Sequence, residues 1–79
     1  MTTQEIRDTV RTMLHDWDAL TSTQRMAAER NQQTSVAVRM LYAAADTADG
    51  DGREILFSAI GRLQGRSPVS VEASWRATR

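Results

Sequence analysis

The sequence predicts an all-α fold, a small bundle of three to four helices, on three observations. Apolar residues recur at steps of three and four along most of the chain, as on one side of a helix. Helix-capping residues precede these stretches. The one run that alternates like a strand lies near the C-terminus and would have no partner strand in this chain. We therefore expect a single helical domain over residues 1–79, with helices at about 3–20, 23–48, 52–64 and 68–77.

The first helix, about residues 3–20, has the strongest signals. Thr2 and Glu5 have the spacing of a capping box, in which each side chain accepts a hydrogen bond from the other residue's backbone N–H. An apolar stripe follows at helical spacing, formed by Ile6, Val10, Met13, Leu14, Trp17 and Leu20. We expect this stripe to supply a large part of the core.

Residues 23–48 are predicted to be helical, with the number of helices left open. Thr21 and Gln24 again have capping-box spacing. On one continuous helix polar residues would interrupt the apolar face, whose members are Met26, Arg30, Gln33, Ala37, Leu41, Ala44 and Ala48. The pattern predicts either a break near residues 34–35, with Ser35 as the new N-cap, or one long helix whose middle faces solvent or a partner.

The third helix is predicted over residues 52–64, after the turn at 49–52. We expect Asp51 to be its N-cap and Gly65 to end it. Apolar residues cover most of its circumference and leave a narrow polar strip, formed by Glu54, Ser58, Gly61 and Arg62. A helix of this kind lies at the centre of a fold or in an interface. We expect it to form most of the core together with the first helix.

The C-terminal segment has two interpretations. Residues 69–76 alternate between apolar and polar side chains, as in a half-buried strand. Ser67 and Pro68 are instead a good N-cap and first residue for a helix. Val71 and Trp75 would then lie one turn apart on the same side. We favour the short helix.

Composition narrows the range of functions. A chain of 79 residues has a modest core, so it must pack well or share a core with a partner or a second copy. Ten arginines and no lysine balance ten acids, so no strong field attracts nucleic acid or an anionic membrane. No apolar stretch is long enough to span a membrane, and the N-terminus lacks a signal-peptide pattern. With no cysteine, we expect a cytoplasmic protein.

The residues predict no catalytic, metal or cofactor chemistry. The single histidine, His15, is expected beside Asp18 on the solvent side of the first helix, and no second histidine or cysteine exists to complete a zinc site. Residues 47–52 resemble the first half of an EF-hand calcium loop. Thr47 and Ser58, however, stand where that loop needs carboxylates. We therefore predict a protein that is not an enzyme.

The last two predicted helices have the outline of a DNA-reading helix-turn-helix. Gly65 would be the glycine of the turn, and Val71 the buried residue of the second helix. Gln64 and Arg66 depart from the pattern because the turn positions are normally apolar. A DNA-binding regulator that uses residues 66–79 is therefore the second hypothesis.

The first hypothesis is a non-catalytic protein-binding module. Trp, Tyr and Arg dominate binding hot spots, and arginine suits bidentate contacts. The candidate contact residues are Arg30, Arg39, Tyr42, Phe57, Arg62, Arg66, Trp75 and Arg76. The partner would be another protein, a host protein complex or a second copy of the chain. Size and composition also suit a phage or mobile-element inhibitor of a host complex, such as an anti-CRISPR protein, although no residue indicates that role.

Overall fold

The computed structural model describes residues 2–78, which form five α-helices and no strand. The helices are α1 (Thr3–Asp18), α2 (Ser22–Arg30), α3 (Gln33–Thr47), α4 (Gly50–Gln64) and α5 (Pro68–Ala77). The all-α prediction is confirmed, and the count is five rather than three to four because the second predicted segment is divided. Helix α4 packs against α1, α3 and α5, while α2 packs against α3.

Helix α1 begins as predicted and ends two residues earlier. The Thr2 hydroxyl accepts from the Glu5 N–H at 3.2 Å, and the Glu5 carboxylate accepts from the Thr2 N–H at 3.1 Å. The bond from the backbone of Thr2 favours the ionised carboxylate, so it lowers the pKa of Glu5. The helix ends at Asp18 because the chain must become extended at Thr21, which is the N-cap of α2.

The segment predicted over residues 23–48 forms two helices, and the predicted position of the break is wrong. Asn31 ends α2, and Gln32 takes a left-handed backbone conformation with φ of 61°. Helix α3 begins at the next residue without a side-chain cap. The break therefore precedes residues 34–35, and Ser35 lies within α3 instead of capping it.

The earlier break is explained by what the two helices bury. Helix α2 buries Ala28, and α3 buries Val38, Leu41 and Ala45. On one straight helix, Ala28 would point about 140° away from Leu41, since successive residues are separated by about 100°. A break between them allows both residues to face the interior.

Helix α4 begins at Gly50, and the prediction that Asp51 caps it is wrong. Asp49 is the N-cap, and its carboxylate accepts from the Gly52 N–H at 2.8 Å. The same carboxylate accepts from the Thr3 hydroxyl at 3.2 Å, so the beginnings of α1 and α4 are joined. Asp51 lies exposed in the first turn, where a negative charge suits the helix dipole.

The core is built around α4. This helix contributes the largest set of buried apolar side chains, namely Leu56, Phe57, Ala59, Ile60 and Leu63. Helix α1 contributes Ile6 and Val10, while its other apolar residues are only partly buried. Helices α3 and α5 supply the rest of the core. The expectation of a core made mainly by α1 and α4 therefore underestimated α3 and α5, which cover two further sides of α4.

The C-terminal segment is a helix, as favoured. The Ser67 hydroxyl accepts a backbone N–H at 3.2 Å, and Pro68 is the first helical residue. Val71 and Trp75, one turn apart, are 0% and 8% exposed. The alternation that suggested a strand arises because Val69, an apolar residue, is 76% exposed on the other side of the helix.

Candidate binding face

Helices α4 and α5 meet at a tight turn that two glycines permit. Gly65 has a φ of 68°, in the left-handed region that favours glycine. The next N–H, of Arg66, donates to the Gly61 carbonyl at 2.8 Å. A Cβ atom on Gly61 would overlap the Arg66 carbonyl oxygen. Gly61 belongs to the predicted polar strip of this helix, and it is buried because the Arg66 backbone packs on it.

A groove of about 910 Å³ lies between α4 and α5, and we call it the α4–α5 groove. Phe57 and Trp75 contribute to its floor, with ring centroids 5.4 Å apart. Both side chains are buried, so only a small part of each is accessible from the groove. Charged residues surround the floor, among them Asp51, Glu54 and Arg76. The groove is therefore amphipathic.

Trp75 is fixed in this floor by contacts on two sides. Its indole N–H donates to Asp46 on α3 at 3.1 Å. The Arg53 guanidinium lies 4.8 Å from a ring centroid of Trp75, in a cation–π contact, and it donates to the Ala45 carbonyl at 2.9 Å. The Arg53 guanidinium therefore makes its contacts within the fold and connects α4 to both α3 and α5.

A second groove of about 680 Å³ lies between α1 and α4, and we call it the α1–α4 groove. Its walls are mostly apolar and include Val10, Leu14, Ile55 and Ala59. Glu54 and Ser58 line both grooves, so they form the ridge that separates them. We call the two grooves and this ridge together the α4 face.

The α4 face gathers part of the predicted contact set. Five of the eight candidates line it, namely Phe57, Arg62, Arg66, Trp75 and Arg76. The other three lie on α2 and α3 and are not brought to it, namely Arg30, Arg39 and Tyr42. Tyr42 packs against the core, whereas the two arginines are exposed. Because Phe57 and Trp75 belong to the core, they shape the face more than they project from it.

The arginines of the α4 face make contacts within the chain. Arg62 forms an ion pair with Asp18 of α1 at 2.6 Å, and Arg76 pairs with Glu72 at 3.2 Å. Arg66 donates to the Ser70 carbonyl at 2.9 Å and also to neighbouring side-chain oxygens on both sides of the turn. These positive charges therefore hold helices and turns together.

Two acids on the α4 face have no such partner. Asp51 and Glu54 are exposed beside the α4–α5 groove, and neither forms an ion pair within residues 2–78. Sequence reasoning did not assign either of them to a site. The sequence did place Glu54 and Ser58 in one narrow polar strip of this helix. The grooves beside that strip were not predictable, because α1 and α5 form their outer walls.

The described residues offer little to a metal ion. Within residues 2–78 no three His, Cys, Asp or Glu side chains lie close enough together to hold one. Residues 47–52, which resemble part of a calcium loop, form the end of α3 together with the cap and first turn of α4.

Over the same residues 2–78, no helix is long and apolar enough to cross a membrane. No protein-family model, curated protein or solved structure matches this chain.

Proposed function

We propose that this chain is a non-catalytic protein-binding module and that its docking surface is the α4 face. The observation that carries the proposal is the pair of adjoining grooves, about 910 and 680 Å³, on the two sides of one exposed ridge. An amphipathic helix that lays its apolar face into a groove is a common mode of protein recognition. The ridge supplies polar contacts between an amphipathic groove on one side and a mostly apolar groove on the other.

Burial supports a binding role over a catalytic one. A catalytic carboxylate or imidazole is commonly tuned by a buried environment. Within residues 2–78 no charged side chain is buried. Asp51 and Glu54, two of the carboxylates that line the α4–α5 groove, are exposed to solvent. They are suited to charge complementarity with a partner.

The biological setting is part of the same proposal and rests on size and composition. A small protein-binding module without cysteine suits the cytoplasm. It also suits a phage or mobile-element product that blocks a host complex, anti-CRISPR inhibitors among them. The partner is then a host protein or host complex that inserts an amphipathic segment into the α4 face.

A co-purification experiment with matched variants tests the proposal. Ser58→Arg places a long charged side chain on the ridge, and Thr23→Arg places the same side chain on exposed helix α2. We expect wild type and Thr23→Arg to capture the same host protein from a lysate, with an intact-complex mass that fits, and Ser58→Arg to lose it. Thermal unfolding checks that both variants fold. Capture that is absent from wild type, or equal for both variants, contradicts the proposal.

A DNA-binding regulator is the second candidate, favoured by one local observation. The turn between α4 and α5 has its glycine, Gly65, in the left-handed region, and Val71 is fully buried behind it, as in a helix-turn-helix. Within the segment 66–79, Arg66 and Arg76 would have to exchange their internal contacts for phosphates, and Arg79 lies outside the described residues. Measurable affinity for duplex DNA at low salt, falling steeply with salt and with Arg66→Ala, would support this candidate over the first.

A further inference from the structure

Helix α3 has a second apolar face, on the side opposite the core. Val36, Met40, Ala43 and Thr47 follow one another at steps of four, three and four, so they lie along one line of the helix. All four are exposed, Val36 by 46% and Met40 by 64%. The core residues Val38, Leu41 and Ala45 lie on the other side of α3. We call the exposed line the α3 outer face.

We propose that the α3 outer face binds the same face of a second copy of this chain, with the two α3 helices antiparallel. A surface that pairs with itself about a two-fold axis must be complementary to itself. The α3 outer face meets that condition in its apolar line, in its flanking charges and in its central small residue.

The flanking charges are matched under two-fold symmetry. Arg39 and Asp46 are seven residues apart, which is close to two helical turns, so they lie on the same flank of the α3 outer face. In an antiparallel pair whose two-fold axis passes between residues 42 and 43, Arg39 of one copy lies at the level of Asp46 of the other. Both ends of the pair then have an Arg–Asp contact.

Arg39 is available for that contact, and Asp46 is held in place for it. Arg39 is exposed and forms no ion pair or hydrogen bond with the other residues of the described range 2–78. Asp46 accepts from the Trp75 indole at 3.1 Å, which fixes the carboxylate on α3. An ionised carboxylate has about four acceptor sites, so an exposed one can accept from a guanidinium alongside other partners. Arginine is suited to such paired contacts with carboxylates.

The residue nearest the two-fold axis permits close approach. Ala43 lies on the α3 outer face beside that axis, and its side chain is a single methyl group. Small residues at a crossing point let two helices approach at the short end of the usual 8–10 Å range. The larger side chains, Val36 and Met40, then pack on either side of the crossing.

Sedimentation velocity over a range of concentrations tests the pairing. We expect wild type to convert from monomer to dimer as concentration rises, and Met40→Glu to weaken the dimer at least about tenfold, because a buried unpaired charge opposes association. Met26→Glu is the matched control, since Met26 is equally exposed on α2 at 63%. A wild type that stays monomeric, or a control that weakens the dimer equally, overturns the proposal.

The charge contact has its own pair of variants. We expect Arg39→Gln to weaken the dimer several-fold at low salt and to reduce its salt dependence, because it removes both symmetry-related ion pairs. Arg30→Gln changes an exposed arginine on α2 and should leave the dimer unchanged. Equal dimer affinity for wild type and Arg39→Gln would overturn the assigned register.

Disulfide trapping tests the orientation, because the chain has no natural cysteine. Two copies of Ala43→Cys would place their thiols near the two-fold axis, within the reach of a disulfide. Two copies of Val36→Cys would lie about 20 Å apart in the antiparallel pair, given a rise of about 1.5 Å per residue. We expect oxidation to cross-link only Ala43→Cys. Cross-linking of both variants would indicate parallel helices and overturn the antiparallel arrangement. Cross-linking of neither variant would overturn the proposed α3 pairing.

Discussion

The turn between α4 and α5 and the turn between α2 and α3 each place one residue in the left-handed region, but the first is Gly65 and the second is Gln32. Glycine adopts this conformation without strain, whereas a residue with a Cβ is destabilised there by about 1–2 kcal/mol. We call α2 and α3 with their turn the α2–α3 half, and α4 and α5 with theirs the α4–α5 half. The two halves also differ in the contacts of their arginines. Arginines in the α4–α5 half are bonded to the chain. In the α2–α3 half only Arg25 is bonded within residues 2–78, through the Trp17 carbonyl and ring, while Arg30 and Arg39 are exposed.

The same contrast holds for the apolar side chains. The aromatic side chains Phe57 and Trp75 of the α4–α5 half are buried, and Val69 is its one exposed large apolar residue in the described range 2–78. The α2–α3 half exposes three, namely Met26, Val36 and Met40. The α2–α3 half also contains Thr34, whose hydroxyl is buried and has no hydrogen-bond partner among residues 2–78. The α4–α5 half thus bonds its arginines within the chain and presents a shaped groove, while Asp51, Glu54 and Val69 of this half are exposed. The α2–α3 half exposes apolar side chains and arginines that a second molecule could contact.

The largest expected difference between the halves concerns large apolar side chains. Phe57→Ala removes a ring that is 3% exposed, so we expect the free energy of unfolding to fall by about 3–5 kcal/mol. Met26→Ala removes a side chain that is 63% exposed and should change it by no more than about 0.5 kcal/mol. Urea denaturation measures both. A loss below about 1 kcal/mol for Phe57→Ala would contradict the burial of this ring.

The turns should respond in opposite directions to a change of residue. Gly65→Ala introduces a Cβ at positive φ and should lower the free energy of unfolding by about 1–2 kcal/mol. Gln32→Gly removes that strain, although glycine also gains entropy in the unfolded chain, so we expect an increase of at most about 1 kcal/mol. Thermal unfolding at fixed pH compares them. Loss of stability in both variants would contradict the idea that Gln32 is strained in its turn while Gly65 is not.

The buried hydroxyl of Thr34 should be dispensable. Thr34→Val keeps the shape of the side chain and removes an unpaired polar atom, so we expect a gain of about 1 kcal/mol in the free energy of unfolding. Thr12→Val is the control, because the Thr12 hydroxyl is exposed and donates to the Asp8 carbonyl at 3.2 Å. Denaturant melts of the two variants are compared with wild type. A loss of stability in Thr34→Val would indicate that its hydroxyl has a partner in solution.

The smallest expected effect concerns the exposed ion pair between α1 and α4. A double-mutant cycle on Asp18→Asn and Arg62→Gln should give a coupling of about 0.2–1 kcal/mol, since both side chains are about half exposed and screened by water. Arg39→Gln, measured below the concentration of any self-association, should change stability by only a few tenths of a kcal/mol. A coupling that persists in high salt would show that the Asp18–Arg62 pair is less screened than its exposure indicates.

Local signals in the sequence were sufficient for most of the helices. The capping boxes at Thr2 and Thr21 and the Ser67 cap each depend on residues three positions apart, so the sequence contains all the information needed. The same holds for Gly65, which ends α4 as predicted. The cap of α4 was misassigned because Asp49 and Asp51 are both plausible locally, and the contact of Asp49 with Thr3 favours the first.

The candidate site was predictable only in part. The exposed position of Glu54 and Ser58 follows from helical spacing. The two grooves beside them do not, because their outer walls belong to α1 and α5. The burial of Gly61 was missed for the same reason. It results from the Arg66 backbone, which reaches Gly61 only after the chain has turned.

The sequence by itself determined that this protein is helical, where most helices begin, and that its arginines and acids balance. These properties depend on capping, periodicity and composition. Capping and periodicity involve residues only a few positions apart, and composition does not depend on the order of the residues. Tertiary structure alone decided where the second segment breaks, which large side chains are covered, and which charges remain unpaired. Those outcomes depend on contacts between residues far apart in the chain, such as Asp18 with Arg62 and Trp75 with Asp46, whose partners cannot be read from local spacing.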